Sequence, residues 1–154
     1  MKSDLVETIR AELRGRLELL AKAARAAHEA ATDPGSKAES KYDTRSLEES
    51  YLANGQARHV KELAQTLAVF ENLTMRDFSA DEEIDAGALV KTKRQGSREV
   101  SYFLLAPSSG GLEVIHKKKE VTLLSPDSPL YQKLMGLRVG ESLEAPPLEI
   151  SGVS

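Results

Sequence analysis

"ATDPGSKAESKYDTRSLEESY", residues 31–51, separates two long stretches whose apolar residues recur every three or four positions. Within it Asp33, Glu39 and Asp43 are interleaved with Lys37, Lys41 and Arg45. Connections between packed helices usually need about 2–8 residues, so a loop over roughly 33–45 holds more chain than reversal requires. Upstream, Leu5, Ile9, Leu13, Leu17, Leu20, Ala24, Ala27 and Ala31 mark one face of a single long helix. Asp4 with Glu7 suits its start. Asp33-Pro34-Gly35 suits its end, because proline restricts the residue before it and glycine permits the reversal. Downstream, Ser46 and Glu49 have capping-box spacing, and Ala53, Gln56, Val60, Leu63, Leu67 and Phe70 continue a second stripe. Leucines at the base and alanines towards the loop let two antiparallel helices approach closely. The expectation for residues 1–73 is an N-terminal antiparallel coiled-coil hairpin, roughly 40 Å long at 1.5 Å per residue. Such a finger buries little of its own surface, so its far end is there to reach something.

After Leu73 the helical spacing stops. Residues 74–85 are acidic and aperiodic and read as a linker. From 86 onward short apolar runs take over, "GALVKTKR", "VSYFLLA", "LEVIH" and "VTLLS", with "QGSR" and "PSSGG" as turns. "SPLYQKLMGLRVGES" reads as one short helix started by Ser128-Pro129 and stopped by Gly136, after which "ESLEA" and "LEISGV" can supply final strands. The predicted fold class is α+β: the helical hairpin, then a mostly antiparallel sheet domain with one short helix over 86–154.

Composition narrows the chemistry. The 154 residues include no cysteine, which excludes disulfides and thiolate metal sites. His28, His59 and His116 are scattered along the chain and do not suggest a histidine metal site. A net charge of -3 argues against a specific DNA binder, and 5% aromatic residues without tryptophan do not suggest a stacking platform for single strands. There is no membrane-length apolar run and no signal-peptide pattern, so the expected location is cytoplasmic.

The loop acids admit two readings. Asp33, Glu39 and Asp43 offer the oxygen ligands that Mg²⁺ prefers and can complete the coordination of a metal held by a partner, without binding it tightly alone. Equally, alternating acids and bases can simply solvate a turn. Lys37, Lys41 and Arg45, with Lys22, Arg25 and Arg58 along the helices, can guide a phosphate backbone or again merely solvate a face. "HKKKE", residues 116–120, reads as a hairpin connection whose charges keep an edge soluble, with contact to an acidic partner as the alternative, and Gly110-Gly111 reads as a tight turn rather than a phosphate loop, since no helix pattern follows.

The architecture and two segments resemble the Gre family (GreA and GreB) of bacterial transcript cleavage factors over nearly the whole chain. "SPDSPLYQKLMGLRVGES" is similar to the family's C-terminal signature at Ser128, Pro129, Leu130, Leu134, Gly136 and Glu141, and "IDAGALVKTKR" matches at Gly87 and Val90. The resemblance implies an FKBP-like C-terminal domain that docks on RNA polymerase through Ser128, Pro129 and Leu130. It also implies a coiled coil that enters the polymerase secondary channel. Tip carboxylates Glu39, Asp43 and Asp33 would act there, Glu39 and Asp43 sharing a Mg²⁺ with the polymerase, while Lys37, Lys41 and Arg45 guide the nascent RNA 3′ end. The protein would then be a monomeric accessory factor, not itself an enzyme, that stimulates cleavage of backtracked RNA. The family's tip usually carries an Asp and a Glu three residues apart in a pattern like DxxENAEY; here Asp43 follows Glu39 by four. A noncatalytic regulator of the same channel is the alternative, and a chaperone or prolyl isomerase rests on fold analogy alone.

Overall fold

The computed structural model describes the backbone of residues 2–32 and 45–154 and the side chains of residues 2–29 and 55–154. The elements are α1 (Lys2–Thr32), α2 (Arg45–Glu71), β1 (Leu89–Arg94), β2 (Val100–Leu105), β3 (Glu113–His116), β4 (Lys119–Leu124), α3 (Pro129–Leu134) and β5 (Leu148–Val153). This is the α+β class expected, two long helices followed by a five-stranded sheet with a short helix. The chain divides into two compact units, Arg10–Glu71 and a second made of Met1–Ile9 with Asn72–Ser154.

In the helical unit, α1 and α2 run antiparallel. Arg10 Nε donates to Phe70 O at 2.7 Å and Arg14 Nη2 lies 2.6 Å from Glu71 Oε1, while Leu19 and Leu20 share a shallow groove with His59 and Leu63 further along. The last turn of α2 contains no basic residue, so its terminal carbonyls draw on Arg10, which also donates to Glu71 O at 3.2 Å. Leu13 and Phe70 are buried, whereas Leu17, Leu20, Leu63 and Leu67 are half-buried and Leu19 is exposed.

The sheet has strand order β3-β4-β2-β1-β5. Every neighbouring pair is antiparallel except β2 with β4, which run parallel in register Tyr102↔Val121 to Leu105↔Leu124 because β3 occupies the edge between them in sequence. Strand alternation gives the sheet two apolar faces. On one, Val90, Leu105, Leu124 and Ile150 join Tyr131 and Leu134 of α3 in a core that also takes Phe78 and Ile84. The acidic segment 74–85 therefore has two anchors in this core. Arg76 stacks on the Phe78 ring, 3.7 Å from its centroid, and donates to Glu82, holding that carboxyl below the usual carboxylate range. The other face carries Leu104, Val114, Val121 and Leu123, all buried. Leu5, Val6 and Ile9 on the first turns of α1 are buried in the same unit, where Lys2 donates to Gly87 O at 2.7 Å and Thr8 Oγ1 lies 3.4 Å from His116 Nδ1.

"LEISGV" forms β5 as expected, but "ESLEA" contributes one isolated bridge, Ser142↔Glu149, and no strand. The physical reason is local: Pro146 and Pro147 follow at once and bring no N–H to a ladder. "HKKKE" is the predicted hairpin. Lys117 and Lys118 form its two-residue turn with φ of 51° and 66°, the left-handed pair a type I′ turn needs and that Asn-Gly usually supplies.

Candidate functional site

The segment from Leu124 to Gly136 is where sequence signature and structure meet. At the end of β4, Ser125 opens a turn in which Ser128 N donates to Ser125 O at 2.9 Å and Ser125 Oγ donates to Asp127 Oδ1 at 2.5 Å. That hydroxyl holds the Asp127 carboxyl below its ordinary range. Ser128, extended at φ -70° and ψ 131°, precedes α3 without a side-chain cap bond, and Pro129 takes the first helical position, where a missing N–H costs nothing. Gln132 ties the helix back to the turn through N to Ser128 O and Nε2 to Pro126 O. Beyond α3, Gly136 at φ 81° reverses the chain, and its N–H donates to Ile84 O while Ile84 N donates to Leu137 O, both at 2.8 Å.

Ser128, Pro129 and Leu130, the residues expected to dock, are thus consecutive at the start of α3 but differ in exposure. Pro129 is exposed, Ser128 is half-buried, and Leu130 is half-buried with its side chain packed against the core. Surface chemistry at this corner comes from Pro126, Asp127, Pro129, Gln132 and Lys133, all exposed. The remaining signature positions have structural duties: Leu134 is fully buried, Glu141 accepts Ile150 N through its backbone carbonyl at 2.9 Å, Gly87 adopts φ 90°, and Val90 is in the core. Gly110, read as part of a tight turn, is also a point of close approach. A Cβ there would lie 3.0 Å from both Ser125 Cβ and Ser125 N.

Asp33, Lys37, Glu39, Lys41 and Asp43 lie outside the described residues. Arg45 is the first residue of α2, its side chain also outside them. Of the basic residues further along the helices, Lys22, Arg25 and Arg58 are exposed. In the sequence Asp33, Glu39 and Asp43 fall within eleven residues, and carboxylates are the hard oxygen ligands that Mg²⁺ takes.

No family model matches the sequence, and no curated protein matches it. Solved structures similar to this chain include the GreA factor homolog 1 (Gfh1) of Thermus thermophilus, at 19% identity over 94% of each chain with TM-score 0.37. Gfh1 of Thermus aquaticus is another, at 16% identity over 93% of this chain and 92% of that one with TM-score 0.38. A further structure of the transcription factor Gfh1 shares 18% identity over 94% of this chain and 92% of the other, also with TM-score 0.38.

Proposed function

We propose that this chain is a Gre-like accessory factor of RNA polymerase that docks through its sheet unit and presents the loop between α1 and α2 in the secondary channel. The observation that carries this reading is the division of labour in the fold. Two long antiparallel helices, of 31 and 27 residues, are joined by a segment of sequence rich in acids and bases, while Ser128, Pro129 and Leu130 belong to the other compact unit. A helix of that length spans about 45 Å, which suits delivery of a few side chains to a recessed centre.

In the finer form of the proposal, Glu39 and Asp43, with Asp33, supply carboxylates to a Mg²⁺ shared with the polymerase, so that backtracked RNA is cut. When bound, that ion supplies positive charge and a water of lowered pKa. The chain's own part is to bring negative charge and to position that water, while Lys37, Lys41 and Arg45 neutralise RNA phosphates and hold the 3′ segment in place. The protein turns nothing over alone. The four-residue spacing of Glu39 and Asp43 favours a second reading, a channel regulator that alters elongation without cleavage.

The test is an RNA cleavage assay on backtracked elongation complexes with Mg²⁺. Shortened RNA with the wild type, lost on Glu39→Gln with Asp43→Asn while polymerase binding persists, supports the cleavage reading. A tenfold loss corresponds to about 1.4 kcal/mol of barrier. Full-length RNA with altered elongation selects the regulator. Pro129→Ala and Leu130→Glu should weaken polymerase binding more than any tip change; normal binding by folded variants overturns the docking assignment.

A further inference from the structure

On the sheet face covered by the first turns of α1, a cavity of about 350 Å³ opens beside the β3–β4 hairpin. Its apolar surface comes from Leu5 of α1, Leu89 of β1 and Val121 of β4. Around these stand Lys91, Lys117, Lys119 and His116, with Lys2 more deeply buried, against the acidic side chain of Asp77 and beside Ser154, which follows β5. In a chain of net charge -3 this is a local reversal of sign.

The lysines are placed by the fold. Lys91 pairs with Tyr102 on β2 and with Gly152 on β5, where a side chain in place of the glycine would crowd the Lys91 stem at 3.3 Å. Lys119 Nζ lies 5.1 Å from the centroid of the Tyr102 ring, and Tyr102 lines the same cavity. Lys117 is brought in by a turn whose left-handed φ values favour glycine and asparagine, so the local backbone strain is tolerated while a charge is held at the rim. Lys2 is only 4% exposed, a burial that lysine seldom reaches, with its ammonium held by Arg76 O and Gly87 O. Burial lowers its pKa to about 8, against the opposing pull of Asp77.

A purely solvating charge cluster needs no enclosed apolar floor, and an apolar pocket alone needs no ring of ammonium groups. Both together match an amphiphilic anion, and the volume falls within the roughly 300–1,000 Å³ of small-molecule pockets. We propose that this cavity binds a small organic anion with an apolar ring system, the ring resting on Tyr102 and the aliphatic floor and its phosphate or carboxylate meeting Lys91 and Lys119. The proposal is independent of RNA polymerase and concerns the sheet face opposite α3.

The test uses the full chain and 1-naphthyl phosphate as probe, followed by calorimetry and by ¹H–¹⁵N shift perturbation. Saturable binding with shifts centred on Lys91, Tyr102, Lys117 to Lys119 and Gly152 is expected, with inorganic phosphate and 1-naphthol each binding at least about tenfold more weakly. Lys91→Gln and Lys119→Gln, both at exposed positions, should each weaken binding about fivefold without lowering the thermal midpoint. Absence of saturable binding, shifts elsewhere on the chain, equal affinity for inorganic phosphate, or unchanged affinity in both variants overturns the assignment. Tighter binding of an oligo-glutamate peptide than of the naphthyl probe also overturns it, in favour of an acidic protein partner.

Discussion

Gly110→Ala places one methyl group where the structure has no room for it. Gly110 has an ordinary backbone conformation, so alanine is not forbidden by φ; the obstacle is Ser125, whose Cβ and backbone nitrogen would both lie 3.0 Å from the new carbon, with Oγ inside contact distance. Rotating the Ser125 side chain removes only the last of these clashes and breaks its hydrogen bond to Asp127. Neither segment is free to retreat, because Gly111 N donates to Leu123 O, Leu123 N to Leu112 O and Ala106 N to Leu124 O, each at 2.8 Å. Overpacking costs about 1–3 kcal/mol, the lost hydrogen bond adds about 1 kcal/mol, and the stiffer unfolded chain returns about 0.4–1 kcal/mol. A net loss of about 1–4 kcal/mol in the sheet unit follows. Native-state amide exchange at Ala106 and Leu123 reads this locally, so that opening of the helical unit does not confuse the measurement. Adding Ser125→Ala to the variant should recover less than half of the loss, since the contact with the backbone nitrogen stays. Gly111→Ala makes a useful contrast: nothing lies within 4 Å of its Cβ, and its cost is the strain of φ 90° alone, about 1 kcal/mol. Unchanged exchange at Ala106 and Leu123 in Gly110→Ala, or full recovery with Ser125→Ala, would mean that the backbone at Ser125 does not obstruct the new methyl group. Because Ser125 opens the turn that leads to Pro129, amide shifts of Asp127 and Ser128 should move in the same variant.

Two further outcomes follow from named contacts. Lys2 titrates near 8 in the folded chain, below its ordinary 10.5, chiefly through burial, with Asp77 and Glu82 opposing and Arg76 reinforcing the shift. Below pH 8 it is charged in both states and the desolvation cost is carried in full. Between about 8 and 10.5 the unfolded chain holds more protons, so wild-type stability relative to Lys2→Met should rise with pH; a pH-independent difference in urea midpoints would sink this. Arg10→Met removes the donor to the carbonyls of Phe70 and Glu71 and should cost about 1–2 kcal/mol, seen as faster amide exchange in the last turns of α2, with no effect expected at β4.

Much of the fold is legible along the chain because the signals are local. Apolar residues every three or four positions define the faces of α1 and α2, and Ser128-Pro129 with Gly136 brackets α3. Short apolar runs separated by "QGSR" and "PSSGG" separate β1, β2 and β3. Tertiary pairing decided the rest. Nothing in "VSYFLLA" or "VTLLS" says that β2 and β4 lie parallel, because alternation determines which face a residue takes and not which strand lies beside it. Phe78 and Ile84 stand in a segment without period, so their place in the core depends on partners on β1, β4 and α3. Arg10 looks like any surface arginine until the end of α2 arrives beside it.

The N-terminal helix shows the division most clearly. Leu5, Ile9 and Leu13 continue one uninterrupted stripe, and their spacing alone puts all three on one helix face that must be buried. Long-range packing then assigns Leu5 and Ile9 to the compact unit of the sheet and Leu13 to that of the helices. Helical periodicity is the same on both sides of that boundary, since it records the need to exclude water and is indifferent to which apolar surface does so. By the same logic Lys2, Lys91, Tyr102, Lys119 and Gly152 carry no shared local pattern, and they line one cavity because long-range strand pairing and the first turn of α1 bring them together.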